Sequence, residues 1–150
     1  MSEKKISGTL LIISSSCFRV IDANLNRCRE GLRVVEDSLR FVLNDGTIYK
    51  KIRNIRHDID KILRGKYGEL LMERNSVEDV GREVLESPKR GIQDIVSANF
   101  KRVQESLRVL EEYSKSFIQE SSAEFKRQRY LVYIVEKLVY LKYKNFFVKD

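Results

Sequence analysis

Tryptophan is absent from this sequence, and proline and histidine occur once each, as Pro88 and His57. A single proline in 150 residues leaves almost no place where a helix must break. One histidine and two cysteines, Cys17 and Cys28, make no ligand spacing with one another, which excludes a transition-metal site. The same two cysteines form no disulfide framework, and Cys28 falls on an apolar stripe as a small buried residue, so a reducing cytoplasm is expected. No apolar run is long enough to span a membrane. No G-x-x-x-x-G-K-[ST] loop is present and no G-x-G-x-x-G follows a strand, so phosphate chemistry must rely on arginines and helix amino ends. Ser-His-Asp and Cys-His arrangements are missing as well.

Charge of neither sign collects in a block. The net charge is +7, but 22 acidic residues are interleaved with 29 basic ones, without a basic stripe carrying aromatic residues. That pattern argues against nucleic acid and suits an anionic small molecule equally well. At the amino terminus, Lys4 and Lys5 precede the apolar stretch from Ile6 to Ile13, and Ser14, Ser15 and Ser16 lead into Cys17. The stretch is too short and too interrupted, by Ser7, Gly8 and Thr9, for an export signal.

What the chain has is a repeat. Between Arg19 and Val42, apolar residues fall at Leu25, Cys28, Leu32, Val35, Leu39 and Val42, steps of three and four that only a helix keeps on one face. Seventy-five residues later the pattern returns at Phe100, Val103, Leu107 and Leu110. Polar residues return with it: Ala23, Asn24, Arg27, Glu30, Leu32, Arg33, Val34 and Glu36 match Ala98, Asn99, Arg102, Glu105, Leu107, Arg108, Val109 and Glu111. Eight identities in the sixteen positions from Asp22 to Asp37 mark an internal repeat, over about 17–64 and 92–147.

Residues 1–13 read as a flexible amino-terminal arm, with a strand-like piece at Leu10 to Ile13, and 14–150 as one helical domain. Ser15 or Ser16 caps a first helix that runs to about Leu43. Asn44, Asp45 and Gly46 signal a turn, and Thr47 caps a second helix over about 48–64 with Ile52, Ile55, Ile59 and Ile62 on one face. The segment 65–91 is irregular, with a helical turn at Leu70 to Met72, a capping box of Asn75 and Glu78, a glycine of positive φ at Gly81 and a helix start at Ser87 and Pro88. A third helix over about 89–119 and a fourth, opened by a capping box of Ser121 and Glu124, complete the second hairpin. The fourth, from Tyr130 through Leu138, Leu141 and Tyr143 to Phe146 and Phe147, is apolar nearly all round, as at a bundle centre or a subunit interface, and predicts a homodimer. The fold class is all-α: a bundle of two repeated long-helix hairpins, four long helices in all, with a short irregular middle segment.

The repeated polar residues are the candidates for function. Asn24 and Asn99 lie within the apolar sector, so each either fixes the register of the core or reaches a ligand held between helices. Arg27 and Arg102 flank the stripe. Glu30, Arg33 and Glu36, with Glu105, Arg108 and Glu111, step around the helix, either as a ladder of exposed ion pairs or as ligand contacts. His57 offers a hydrogen bond, and Arg56 corresponds to Arg129, which with Tyr130 offers a second anion contact.

The motif Asp22-Ala23-Asn24-x-x-Arg27-x-x-Glu30-Gly31-Leu32-Arg33-Val34-x-Glu36-Asp37 resembles the helical domain found ahead of the barrel in some thiamine phosphate synthases. Arg56-His57, Asp79-Val80-Gly81, the stretch from Ala98 to Tyr113, and Lys126-x-x-Arg129-Tyr130 match in the same order, so the resemblance covers about 18–140. That family is a proposed alternative hydroxymethylpyrimidine-phosphate kinase. The resemblance implies phosphorylation of 4-amino-5-hydroxymethyl-2-methylpyrimidine phosphate to the diphosphate, with ATP and Mg²⁺, by a stand-alone form of the domain. It also implies a thiamine phosphate synthase as partner, and admits a non-catalytic module that dimerises or binds that synthase. In the kinase reading Arg27, Arg33, Arg56, Arg102, Arg108 and Arg129 supply phosphate contacts. Glu30, Glu36, Glu105 and Glu111 supply catalytic carboxylates, with Mg²⁺ at Glu36 and Glu111. Asn24 and Asn99 read the aminopyrimidine, and His57 and Asp79 have no settled role.

Overall fold

The computed structural model describes residues 3–89 and 91–147. Every regular element among them is helical: α1 (Glu3–Asp37), α2 (Gly46–Ile62), α3 (Tyr67–Glu73), α4 (Ile92–Phe117), α5 (Gln119–Lys142) and a single turn α6 (Lys144–Phe147). The all-α bundle expected from the sequence is what forms. The three-to-four spacing of Ile21, Leu25, Cys28, Leu32, Val35 and Leu39 puts all six on one buried face of α1, and Val96, Phe100, Val103, Leu107 and Leu110 do the same for α4. Helices α1 and α2 turn back at residues 43–45, and α4 and α5 at Ile118 alone, giving two antiparallel hairpins. Contacts of α1 with α4 and of α2 with α5 close the bundle into a square.

The direction of α1 against α4 decides where everything else goes. Phe18 stacks on Phe117 at 6.1 Å at one end, and Gly31 lies against Asn99 and Val103 further along. The pair is antiparallel and packs tightly at Gly31, which places residue 36 opposite about residue 97 and residue 111 opposite about residue 22.

Three expectations are corrected. Residues 3–13 continue α1 rather than form a loose arm with a strand-like piece, and Ser15 and Ser16 sit inside the helix rather than at its cap; residues 1 and 2 lie outside the described residues. Nothing between Lys4 and Phe18 breaks a helix, since the only glycine there, Gly8, has open space around it. Val42 leaves the apolar stripe and is 58% exposed, because α1 ends in a π turn, Ser38–Val42, whose extra residue per turn rotates it outward. The expected caps fall elsewhere too. Asn75 and Glu78 do bond one another, but they close a turn and no helix follows. α4 starts at Ile92 rather than at Ser87 and Pro88, α5 starts at Gln119 without a side-chain cap, and no glycine has positive φ among the described residues. Asn44 has it instead, at 51°, in the turn between α1 and α2. The side chains of Phe146 and Phe147 lie outside the described residues.

Asp45, rather than Thr47, caps α2, accepting from the backbone N–H of Thr47 at 3.1 Å and of Ile48 at 2.9 Å. Its other oxygen accepts from Lys142 Nζ at 2.5 Å and Tyr143 Oη at 2.7 Å, so one carboxylate ties the first hairpin's turn to the end of the second hairpin. Burial alone raises the Asp45 pKa, but the Ile48 N–H, Lys142 and Tyr143 lower it further, to about 2. A carboxylate held below its unfolded value stabilises the fold above pH 4 and loses that contribution as pH falls toward about 2. Asp45→Asn is therefore expected to lower stability by about 1 kcal/mol at pH 7. In denaturant melts across the acid range, the gap from the wild type should close below about pH 3.

Candidate functional site

The nominated residues separate into two groups. Glu36 and Glu111 are almost fully buried, with 1% and 4% of their surface exposed, and each is held by the arginine of the neighbouring helix. Arg56 donates from Nε to Glu36 Oε2 at 2.6 Å and from Nη2 to Oε1 at 3.3 Å. Arg129 donates from Nη2 and Nε to Glu111 Oε2 at 2.7 and 3.2 Å. A second arginine one helical turn back completes each cluster, Arg33 at 3.4 Å from Glu36 and Arg108 at 3.9 Å from Glu111. The two halves thus carry the same Arg–Glu–Arg arrangement, Arg33, Glu36 and Arg56 in one and Arg108, Glu111 and Arg129 in the other. Bonding to Glu36 raises the Arg56 pKa, and bonding to Tyr133 and Glu111 raises that of Arg129, so both guanidinium groups stay charged.

These clusters do not suit the Mg²⁺ expected at Glu36 and Glu111. About fourteen residues of helix separate the level of residue 97 from that of residue 111, so the two carboxylates stand about 20 Å apart by the helical rise. Both oxygens of Glu36 face guanidinium, and so does Oε2 of Glu111. Among the described residues no group of three His, Cys, Asp or Glu side chains is placed to hold a metal ion. His57, half-buried on α2, sits beside the first cluster with Nε2 at 3.5 Å from Arg56 Nη2.

The two asparagines turn inward. Asn24 and Asn99 donate from Nδ2 to the carbonyl one turn back, of Val20 at 2.9 Å and Ile95 at 2.8 Å. Each thus bonds one of its two amide N–H groups within its own helix and keeps a second N–H and the carbonyl oxygen. Asn99 is packed over Gly31.

The second group meets in a cleft of about 450 Å³ between α1 and α4, lined by Asn24, Arg27, Ala98, Lys101, Arg102, Glu105, Ser106 and Val109. Four of the repeated residues, Asn24, Arg27, Arg102 and Glu105, converge here because the antiparallel crossing brings the same sector of both helices face to face. Arg27, Lys101 and Glu105 make no ion pair among the described residues, whereas Arg102 reaches Glu86 at 2.7 Å. The segment after α3 runs along this face as a strap. Arg74 grips Asp22 through two bonds of 2.8 and 2.9 Å, Arg19 donates to the Asn75 carbonyl at 2.7 Å, Ser15 bonds Glu73, and Glu86 reaches across to Arg102 on α4. Asp79 lines a smaller neighbouring cleft with Arg19, Asp22, Asn26 and Arg74. Glu30 is exposed beside these on α1.

Lys101 and Arg74 escaped the reading by repeats. Asn26 stands where Lys101 would be matched, so identity between halves filtered the lysine out, and Arg74 lies outside both repeats. Lys101 lies three residues after Ala98 and four before Glu105 on α4, and that helical spacing was the signal that could have found it.

A two-hairpin helical bundle with a cationic cleft along its central helix pair is the class of protein that this geometry defines. The chain belongs to the ThiD2 family, whose sequence profile matches residues 19–138. Its similarity extends to proteins named thiamine-phosphate synthase. It is 38% identical to one from Nostoc punctiforme over 122 residues, 79% of this chain and 34% of the relative. It is 39% identical to one from Gloeobacter violaceus over 122 residues, 79% and 35% of the two chains. With one from Rhodopirellula baltica the identity is 35% over 133 residues, 86% and 36% of the two chains. The chain spans about a third of the length of these curated relatives. No solved structure matches it significantly. No described helix is long and apolar enough to cross a membrane.

Proposed function

We propose that the chain acts in thiamine biosynthesis, transferring the terminal phosphoryl group of ATP to 4-amino-5-hydroxymethyl-2-methylpyrimidine phosphate and releasing ADP and the diphosphate. The names of the relatives support the pathway. The observation that carries the reaction is the α1–α4 cleft, where three cations meet one carboxylate and one amide in a volume suited to a phosphorylated ring. In this reading Arg27, Lys101 and Arg102 neutralise phosphate oxygens, which is most of what phosphoryl transfer requires of a protein. Glu86 on the strap holds the position on Arg102 that a phosphate would take over. The Asn24 carbonyl oxygen accepts from the exocyclic amine of the pyrimidine. Glu105 is the carboxylate nearest the reacting groups. Magnesium enters with ATP as part of the donor, and no step depends on Glu36 or Glu111, which are buried against Arg56 and Arg129.

A second reading has its own observation. Tyr130, Ile134, Leu138 and Leu141, spaced by four, four and three along α5, are 38% to 58% exposed. Such a stripe suits a module that dimerises or binds a thiamine phosphate synthase, and supports homodimerisation as a proposal alongside either reading.

The two readings part in a coupled assay with Mg-ATP, the pyrimidine phosphate, thiazole phosphate and an authentic thiamine phosphate synthase. Kinase action predicts thiamine phosphate only when this chain is present. It also predicts a loss of about a hundredfold in turnover for the Arg27→Ala, Arg102→Ala double variant, from two charge-assisted contacts. No product, together with no thermal shift from either substrate, would leave the module.

A further inference from the structure

The second cleft of interest lies on the other flank of α4, between α4 and α5. It has a volume of about 310 Å³ and is lined by Ser97, Phe100, Tyr133, Glu136, Lys137, Val139 and Tyr140. Its floor is the bundle core, since Phe100 and Val139 are each 1% exposed. Its walls are aromatic and its rim is polar. Tyr133 is held in place before any ligand arrives: Arg129, itself locked to Glu111, donates to its hydroxyl at 3.1 Å, and Tyr130 meets its ring edge-on at 5.8 Å. Glu136 is steadied by Gln104 Nε2 at 3.0 Å, one bond among the several that a carboxylate can accept.

The internal repeat supplies a control for this cleft. Matching Glu36–Arg56 to Glu111–Arg129 sets the second helices of the hairpins in register, and Tyr67 then corresponds to Tyr140. The first half has a cleft at the equivalent place, lined by Leu25, Arg29, Asp60, Leu63, Arg64 and Tyr67. There Leu25 stands for Phe100, Asp60 for Tyr133 and Leu63 for Glu136, and Arg29 is drawn onto Asp60 at 2.7 Å. The ion-pair framework and one tyrosine, Tyr67 or Tyr140, are the same in both halves, while Phe100, Tyr133 and a carboxylate at the Leu63 position occur in the second half alone. Core packing is satisfied by either lining, so packing does not account for the difference.

We propose that the α4–α5 cleft binds the flat, amino-bearing heteroaromatic ring of a phosphorylated ligand, whose phosphates extend across α4 to the cations of the α1–α4 cleft. The ring lies against Tyr133 and Tyr140 above Phe100, and Glu136 accepts from its amine. Ser97 and Phe100 point to one side of α4, and Ala98, Arg102 and Glu105 to the other, by the turn of about 100° per residue. Lys101 lies on the exposed ridge between the two sides, where a chain of phosphates would cross. A helix is about 10 Å across with its side chains, a span that an extended triphosphate covers. The inference rests on the proposed function for its choice of ligands. Only the nucleotide donor carries a chain long enough for that crossing, so the ring is its purine, and the acceptor's aminopyrimidine stays at Asn24.

The test is calorimetric titration of the full chain with adenosine, a non-hydrolysable ATP analogue, hydroxymethylpyrimidine and its phosphate, for the wild type, Tyr133→Ala, Tyr133→Phe and Arg27→Ala. Loss of an aromatic stacking surface is expected to weaken binding of the ATP analogue by about tenfold or more in Tyr133→Ala, with Tyr133→Phe close to wild type. Arg27→Ala should weaken binding of the ATP analogue and leave that of adenosine unchanged. A loss in Tyr133→Ala confined to the pyrimidine ligands would overturn the inference. Equal affinities in wild type and Tyr133→Ala for every ligand that binds would overturn the inference while leaving the proposed function standing. A Tyr133-dependent nucleotide with no binding of the pyrimidine phosphate would support the inference and overturn the proposed function. No binding of any of the four overturns both.

Discussion

Replacing Arg129 with methionine is expected to cost about 3–5 kcal/mol of stability, the penalty for leaving a buried charge without its partner. Glu111 is 4% exposed and accepts twice from Arg129, and the remaining arginine of its cluster, Arg108, stands 3.9 Å away with most of its side chain in solvent. The exposed member cannot replace the buried one. For a chain of this size the loss corresponds to a fall in Tm of about 10 °C. The paired variant Arg129→Met, Glu111→Leu should recover most of that loss, because an apolar pair fills the space without a desolvated charge. A double-mutant cycle on melting curves checks both values. Arg56→Met should behave in the same direction, since Glu36 is equally buried in the equivalent position. Had these glutamates been catalytic, their loss would reduce turnover in a protein of unchanged stability; the geometry predicts the reverse order of effects.

The reading of Glu36 and Glu111 shows where sequence reasoning stops. Helical periodicity located the buried faces of α1, α2 and α4, missing only at Val42, which is exposed, and Ile62, which is partly buried, and the repeat at 75-residue spacing carried the two-hairpin architecture. Periodicity says which way a side chain leaves its own helix. It does not say which side chain of another helix meets it, and the arginines that occupy Glu36 and Glu111 come from α2 and α5. Asn24, Arg27, Arg102 and Glu105 share a cleft for a reason absent from either repeat alone, the antiparallel crossing of α1 on α4. The aromatic cleft was hidden differently. Tyr133 and Tyr140 belong to a helix that reads as apolar on every side, where nothing distinguishes a cleft wall from core or interface. The amino-terminal residues misled because small polar residues such as Ser14, Ser15 and Ser16 favour caps and loops in isolation. Phe18 on Phe117 and Ser15 on Glu73 hold this part of the helix against its neighbours, so tertiary contact overrides the local preference.

Gly31→Ala is expected to lower stability by about 1–2 kcal/mol, against a local preference that points the other way. In a helix interior alanine is favoured over glycine by about 1 kcal/mol. Gly31 lies where α1 and α4 cross. A Cβ there would stand 2.8 Å from Val103 Cγ2 and 3.4 Å from the backbone oxygen of Asn99. Valine is branched at Cβ and cannot swing its methyl away cheaply, and a backbone oxygen moves only if the helix does. The helices must part by a few tenths of an ångström, loosening packing along the pair that carries the cleft. The repeat shows the cost is local: Ser106 occupies the matching position on α4 with its hydroxyl bonded to the Arg102 carbonyl at 2.7 Å, so a side chain is accommodated on that side of the crossing. The second-site variant Val103→Ala removes the blocking methyl, so Gly31→Ala should cost less in that background than in the wild type. A coupling of about 1 kcal/mol in that cycle would place the penalty at the Gly31–Val103 contact. Equal costs in both backgrounds would mean that the close approach of α1 to α4 is not what requires glycine at this position.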